Sequence, residues 1–177
     1  FGYADGGGHL FVALLGEGDE MIVPEPNYNT YLAAMTFAGA KKVAIPTTAA
    51  KNFRAAPEDV RASVTDKTKA LLLVSPNNPT ASVISREDMT AMVQIAQDHD
   101  LTIIADDIYD LFVYDEFEHV SAASIPGAKE RTLTLNALSK AFSMTGWRLG
   151  WVVGPADLMA RVKELKAAMT GGTSVIS

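Results

Sequence analysis

Short apolar runs alternate with longer amphipathic stretches along most of the chain, and this alternation limits the possible folds more than any other feature. The short runs are apolar on both faces and bounded by Gly, Pro, Asn or Asp, which is typical of buried strands. The longer stretches carry apolar residues at helical spacing; Ser85 is a predicted N-cap, and Pro57 opens another helix. The predicted strands are 21–23, 43–45, 70–74, 102–105, 132–135 and 150–153, and the predicted helices are 30–38, 58–64, 86–98 and 156–169.

This order of elements predicts the fold class. Strands that are buried on both faces and alternate with helices form a mostly parallel sheet that is covered by helices on both faces. The chain has 177 residues, enough for one core. We therefore expect residues 1–177 to form a single α/β domain with ragged ends.

Composition narrows the possible partners. The formal net charge is −6 and the basic residues are scattered, so no surface that tracks phosphates is expected and nucleic acid is not a predicted partner. Apolar runs such as 70–74 are far shorter than the roughly 20 residues that a membrane span needs, and we see no secretory leader. The chain has no cysteine and its three histidines lie far apart, so no metal site is predicted. We expect a cytoplasmic protein.

Polar side chains follow four of the predicted strands. Tyr28 comes a few residues after the first strand, Asn78 after the third, Asp106 after the fourth and Lys140 after the fifth. In an open α/β sheet, ligands bind at the carboxyl ends of the strands. The sequence therefore predicts a site at this edge, built from side chains that are distant in the sequence.

Lys140 and Arg148 have the chemistry of a site. A lysine after a strand is usually a solvated charge, but Lys140 lies in a stretch of small and apolar residues. In such surroundings the neutral amine is favoured and becomes a nucleophile toward an aldehyde. Arg148 lies between Trp147 and Leu149, where an unpaired guanidinium would be costly and a buried dianionic phosphate would satisfy its donors.

Four segments carry motifs that belong together. Residues 139–150 read Ser-Lys-Ala-Phe-Ser-Met-Thr-Gly-Trp-Arg-Leu-Gly, and residues 76–80 read Pro-Asn-Asn-Pro-Thr. Residues 106–109 read Asp-Asp-Ile-Tyr, and Gly-Asp-Glu at 18–20 precedes Pro-Asn-Tyr at 26–28. In this order and at this spacing, the segments resemble the motifs of the class I and II aminotransferases, the fold-type-I pyridoxal-phosphate enzymes.

The resemblance implies a role for each matching residue. Lys140 would hold pyridoxal 5'-phosphate as a Schiff base and would later move a proton at the substrate α-carbon. Asp106 would face the pyridine nitrogen and keep it protonated. Tyr109 and Asn78 would hydrogen-bond the phenolic oxygen of the ring, and Tyr28 would stack on the ring face. From the residues alone, a strand-end cap for Asp106, a core tyrosine and a turn asparagine stay open as alternatives.

The resemblance also implies a phosphate site. Arg148 would clamp the phosphate, and backbone N–H groups at a helix N-terminus would lie beneath it. Two registers compete for this cradle, Gly2-Tyr3-Ala4 and Gly6-Gly7-Gly8. We prefer the second, with Gly7 and Gly8 binding the phosphate, because the first leaves three glycines inside a helix at roughly 1 kcal/mol each. A flexible loop is the alternative.

Some residues depart from the family pattern or are expected to be structural. Ala137 occupies the position three before the lysine, where the family usually has Ser or Gly, and Ala81 occupies the position of the Gly after the Asn-Pro-Thr turn. Both departures could weaken cofactor binding. We expect Asp107 to cap a strand end, Tyr31 to pack a helix, and His119 to lie on the surface or in a loop.

The activity that the resemblance implies is transfer of an amino group from an L-amino acid to a 2-oxo acid. A β-lyase or decarboxylase of the same fold type, or a non-catalytic fragment that binds pyridoxal phosphate, are the alternatives. Residues 1–177 are expected to be an incomplete large domain, since relatives are about twice as long, with an N-terminal segment and a C-terminal small domain expected outside it. The resemblance also implies a homodimer.

Overall fold

A computed structural model describes the backbone of residues 3–170 and the side chains of residues 8–169. Its centre is a six-stranded sheet with the strand order β2-β1-β3-β4-β5-β6. The strands β1 to β5 pair in parallel with one another, and β6 pairs antiparallel with β5. The strands are β1 (Glu20–Glu25), β2 (Lys41–Pro46), β3 (Thr68–Val74), β4 (Thr102–Asp106), β5 (Thr132–Ala137) and β6 (Gly150–Val153).

Within residues 3–170, six α-helices and four 3₁₀ turns precede, connect or follow the strands. The helices are α1 (Tyr3–Leu14), α2 (Thr30–Ala38), α3 (Pro57–Ala62), α4 (Arg86–Asp98), α5 (Leu138–Ala141) and α6 (Ala156–Thr170). The 3₁₀ turns are Ala49–Lys51, Ala122–Ser124, Lys129–Arg131 and Thr145–Trp147. The described helices include none that is long and apolar enough to cross a bilayer.

The predicted fold class is confirmed, and so are the predicted N-terminal residues of two helices. The amide of Asp88 donates to Ser85 Oγ at 3.1 Å, which makes Ser85 the N-cap of α4. Pro57 is the first residue of α3, as predicted. The short helix α5 was not predicted, since four residues are too few to show helical periodicity.

Each face of the sheet has its own apolar core. On one face, α3 and α4 pack on the strands through side chains that include Val60, Met89 and Met92. On the other face, α1, α2 and α6 contribute Phe11, Met35 and Val162, among others. The strands therefore carry apolar residues on both sides, which explains their continuous apolar runs.

The strand register positions the carboxyl ends side by side. Asp106, the last residue of β4, is opposite Val74 of β3 and Leu135 of β5. The segments that follow β3, β4 and β5 consequently leave the sheet at one edge. This is where the sequence predicts the site.

Candidate active site

Asp106 is a carboxylate in the interior of the protein, with 1% of its surface exposed. One oxygen, Oδ2, accepts a hydrogen bond from the hydroxyl of Tyr31. The other, Oδ1, accepts from the backbone amide of Ile108 at 3.2 Å. A buried carboxylate is costly unless hydrogen bonds compensate it, and these two contacts do so. Asp106 therefore makes the local contact of a strand-end cap through Oδ1, while Oδ2 bonds to a distant helix.

Tyr31 packs α2 in the core, as expected, and its hydroxyl in addition contacts the predicted site residue Asp106. It is buried on α2, yet its hydroxyl reaches Asp106 from 75 positions away in the sequence. The available signal was its spacing, because Tyr28 and Tyr31 lie one helical turn apart. A buried tyrosine hydroxyl also needs a polar partner, but the sequence does not indicate which residue provides it.

Tyr109 and Lys140 meet across the ends of β4 and β5. Lys140 belongs to α5, directly after β5, and Tyr109 follows β4 by three residues. The Nζ of Lys140 lies 5.8 Å from the centre of the Tyr109 ring, within the range of a cation–π contact. Both side chains are half-buried. The amine therefore lies beside the segment that carries Asp106 and Tyr109.

Tyr28 and the turn after β3 flank this group. The ring of Tyr28 packs edge-on against that of Tyr31, with centroids 6.0 Å apart. In the turn, the Asn77 side chain donates to the backbone oxygen of Pro26 at 3.0 Å, which ties the turn to the segment carrying Tyr28. Asn78 is half-buried beside it. The structure thus gathers Tyr28, Asn78, Asp106, Tyr109 and Lys140 at one edge of the sheet.

Arg148 does not have the buried surroundings expected from its neighbours. It is exposed, Trp147 is partly exposed beside it, and Arg148 Nη1 donates to the backbone oxygen of Thr145 at 2.8 Å. The prediction that Arg148 lies in an apolar environment, where it would need a phosphate partner, is therefore wrong. A 3₁₀ turn ends here, and Arg148 takes a left-handed conformation with φ 53°, which directs the loop over the surface.

The helix start also differs from the preferred register. Helix α1 begins at Tyr3 and includes Gly6, Gly7 and Gly8, so these glycines do not form its N-terminus. Packing of Leu10 and Phe11 in the core stabilises the helix despite the glycines. The orphan N–H groups of a helix belong to its first turn, which favours the register at Gly2-Tyr3-Ala4. Gly2 itself lies outside the described residues.

A second pair of buried polar side chains lies behind Asp106. The carboxylate of Asp107 is 3.4 Å from Nε2 of His119, and both side chains are largely buried. The hydrogen bond with Asp107 raises the pKa of His119, and burial opposes it more weakly. His119 lies in a loop, as expected, but its contact with Asp107 was not predicted, because no periodicity links the two residues.

A separate cavity lies on the α4 face of the sheet. Its volume is about 640 Å³, and Phe53, Met92 and Phe117 are among the residues that line it. Neither Asp106, Tyr109 nor Lys140 borders it. This cavity is therefore not the predicted site, which we recognise by the chemistry of its side chains and not by cavity volume.

Comparison with known proteins agrees with this arrangement. The sequence model described as aminotransferase class I and II matches residues 2–177. The chain belongs to the class I and II aminotransferases. Enzymes of this family use pyridoxal phosphate.

The aminotransferase relatives are similar over most of the chain. The arginine–pyruvate transaminase of Pseudomonas aeruginosa is 45% identical over 160 residues, which are 90% of this chain and 40% of that protein. An aspartate aminotransferase of Pyrococcus abyssi is 42% identical over 154 residues, 87% of this chain and 40% of the relative. The chain thus spans less than half the length of these curated relatives.

Solved structures agree with the fold. The aromatic aminotransferase from Pyrococcus horikoshii superposes with a TM-score of 0.94 at 37% identity, over 97% of this chain and 46% of that one. The N-succinyldiaminopimelate aminotransferase from Mycobacterium tuberculosis gives 0.92 at 33% identity, over 96% and 44%. In this chain, the buried carboxylate of Asp106, the amine of Lys140 and the neighbouring aromatic rings have the chemistry to hold a phosphorylated pyridine.

Proposed function

We propose that the protein is an aminotransferase that uses pyridoxal phosphate to transfer the amino group of an L-amino acid to a 2-oxo acid. The observation that carries the proposal is the convergence of Asp106, Tyr109 and Lys140 at the adjacent ends of β4 and β5. Membership of the aminotransferase family supports the same reaction. The chain spans under half of its relatives, so the proposal concerns the whole protein.

Asp106 would act on the electronics of the cofactor. When bound, pyridoxal phosphate supplies an electron sink for the charge that develops at the substrate α-carbon. The buried carboxylate of Asp106 would keep the pyridine nitrogen protonated, because an adjacent negative charge in a low dielectric favours the cationic form. The hydroxyl of Tyr31 supports this role, since it stabilises the ionised carboxylate and fixes its direction.

Lys140 would hold the cofactor and move the proton. Its amine would hold the cofactor through the aldehyde carbon, and when free of the cofactor the same amine would move a proton at the substrate α-carbon. Tyr109, whose ring lies beneath the amine, would donate its hydroxyl to the phenolic oxygen of the cofactor. Asn78 would donate to the same oxygen, and Tyr28 would stack on the ring.

Arg148 and the start of α1 would hold the phosphate. Arg148 is exposed and its guanidinium can leave the carbonyl of Thr145 for a dianion, which offers stronger charge-assisted hydrogen bonds. Gly7 and Gly8, the cradle first preferred, are replaced in the proposal by the first turn of α1. By family resemblance we also propose a cytoplasmic homodimer in which residues 1–177 belong to the large domain.

Reduction of the protein with borohydride in the presence of pyridoxal phosphate, followed by peptide mass analysis, tests the site. We expect the label on Lys140 in the natural sequence and its loss in Lys140→Arg. Lys129→Arg replaces an exposed lysine just before the amino end of β5 and is the matched control. This variant should still be labelled on Lys140. Labelling of another lysine, or of none, contradicts the proposal.

The reaction class is tested by adding an amino acid to the loaded protein. A transaminase converts the absorbance of the bound cofactor to that of pyridoxamine phosphate and restores it with a 2-oxo acid. A β-lyase would release ammonia and pyruvate, and a decarboxylase would release carbon dioxide. Absence of any visible band on adding the cofactor would favour a non-catalytic role.

A further inference from the structure

The two adjacent aspartates at the end of β4 face different partners. Asp106 contacts Tyr31 on α2, whereas the carboxylate of Asp107 contacts His119. The backbone at these two residues is hydrogen-bonded on both sides. The amide of Ser75 donates to the backbone oxygen of Asp106 at 3.4 Å, and the amide of Asp107 donates to the backbone oxygen of Leu135 at 3.0 Å. Residues 106 and 107 are therefore anchored to the neighbouring segments, directly before the turn that carries Tyr109.

His119 is the point at which a long exposed loop returns to the core. The loop from Asp110 to Glu118 exposes several large apolar side chains, Leu111, Tyr114 and Phe117 among them. Immediately after His119, Val120 and Ala122 are buried. The contact between His119 and Asp107 thus closes the base of the loop against the segment that carries the candidate site residues.

The charges around His119 favour its cationic form. The Asp107 carboxylate is the main cause of its raised pKa, and Asp110 adds to the effect. The carbonyl of Ser75 raises this pKa as well, although its geometry falls short of a hydrogen bond and Nδ1 has no hydrogen-bond partner within the described residues. An imidazolium here would form an ion pair with the buried carboxylate of Asp107.

We propose that Asp107 and His119 form a positioning pair that holds residues 106–109, so that the Asp106 carboxylate and the Tyr109 hydroxyl face the cofactor. The pair touches neither substrate nor cofactor and acts through these two residues. The inference rests on the proposed function for its catalytic consequence. Its structural part, the anchoring of residues 106–109, can be measured without cofactor.

The first experiment is hydrogen exchange on the cofactor-free protein. His119→Leu removes the cation and the donor, and we expect roughly tenfold faster exchange at the amides of Asp107 and Ile108. His119→Gln keeps a donor of similar reach and should restore most of the protection. His99→Gln, an exposed histidine at the end of α4, is the matched control and should leave exchange unchanged.

The second experiment follows the visible absorbance of the loaded protein against pH. Loss of a nearby cation and of a well-placed Tyr109 donor both favour the protonated form of the lysine–cofactor linkage. We therefore expect its titration midpoint to move upward in His119→Leu, with a smaller shift in His119→Gln. A purely structural role would leave this midpoint in place.

The outcomes separate the two proposals. Unchanged exchange at residues 107–108 in His119→Leu overturns the positioning pair, as does acceleration that affects β1 equally. An unchanged absorbance midpoint with faster local exchange overturns its link to the cofactor. Failure of borohydride to label Lys140 in the natural sequence would instead overturn the proposed function, while the exchange result on the cofactor-free protein would still stand. Asp107→Asn serves as the second variant if His119→Leu does not fold.

Discussion

The two halves of the candidate site differ in how the chain supports them. The carboxylate region, residues 106–109 with Tyr31 and His119, is set into the protein: Asp106 and Asp107 are both buried and hydrogen-bonded or ion-paired. The lysine loop, residues 140–148, lies nearer the surface, with Phe142 and Trp147 partly exposed and Arg148 bonded to a neighbouring carbonyl. One half is part of the core and the other lies over it.

This difference predicts two kinds of variant. A side chain in the carboxylate region contributes to the folded state and to the cofactor site, because its contacts exist before any ligand binds. An exposed side chain in the lysine loop makes few contacts in the fold, so its removal should affect ligand binding alone. Each of the following variants tests this division.

Asp106→Asn should have the largest effect. The amide cannot carry the charge that keeps the pyridine nitrogen protonated, so we expect turnover to fall by about 10²–10³-fold. The same change weakens the contact with Tyr31 and should lower the free energy of unfolding. Steady-state kinetics and chemical denaturation measure the two effects. Normal turnover with reduced stability would reduce Asp106 to a strand-end cap.

Tyr31→Phe tests the core side of the same contact. The ring remains, but the buried carboxylate loses a hydrogen bond, which should cost about 1.5–3 kcal/mol of unfolding free energy. Tyr114→Phe removes a hydroxyl from an exposed ring and is the matched control, with no expected change. Equal denaturation midpoints for both variants would show that the contact with Asp106 contributes nothing.

Arg148→Gln tests the lysine loop. Because Arg148 is exposed, the unfolding free energy should stay within about 0.5 kcal/mol. Loss of a charge-assisted phosphate contact should weaken the affinity for pyridoxal phosphate by roughly tenfold or more. Arg161→Gln, an exposed arginine of α6, is the control for charge alone. A loss of stability in Arg148→Gln would break the comparison between the two halves.

Ala81→Gly should have the smallest effect and the opposite sign. Ala81 has a left-handed backbone with φ 57° in the turn beside the carboxylate region, where the amide of Ala81 donates to the oxygen of Asn77 at 2.8 Å. Glycine relieves about 1–2 kcal/mol of backbone strain in the folded state. It also gives the unfolded chain more conformational freedom, which favours unfolding by about 0.5–1 kcal/mol. We expect a net stabilisation near 0.5 kcal/mol, measured by denaturation beside the control Ala123→Gly.

Much of the architecture and several of the site residues were predictable from the sequence. Strands that are apolar on both faces and alternate with amphipathic helices leave few alternatives to a mostly parallel sheet. Parallel strands end at one edge, which is why Asn78, Asp106 and Lys140 could be expected together before any coordinates. These inferences needed only local periodicity and the position of each residue after its strand.

Long-range contacts were not predictable in the same way. Tyr31 and Asp106 are 75 positions apart, and no period or motif links Asp107 to His119. The start of α1 at Tyr3 was not predictable from the sequence either, because three glycines have a low helix propensity. Packing of Leu10 and Phe11 in the core stabilises the helix nevertheless.

By itself, the sequence determined the order of the elements and the edge at which the reactive side chains meet, because both follow from spacing along the chain. Tertiary structure alone decided which partners those side chains have: the hydroxyl on Asp106, the imidazole on Asp107 and the solvent around Arg148. The physical reason is that burial and hydrogen bonding depend on segments brought together by packing, whereas periodicity reports only on the segment that carries it.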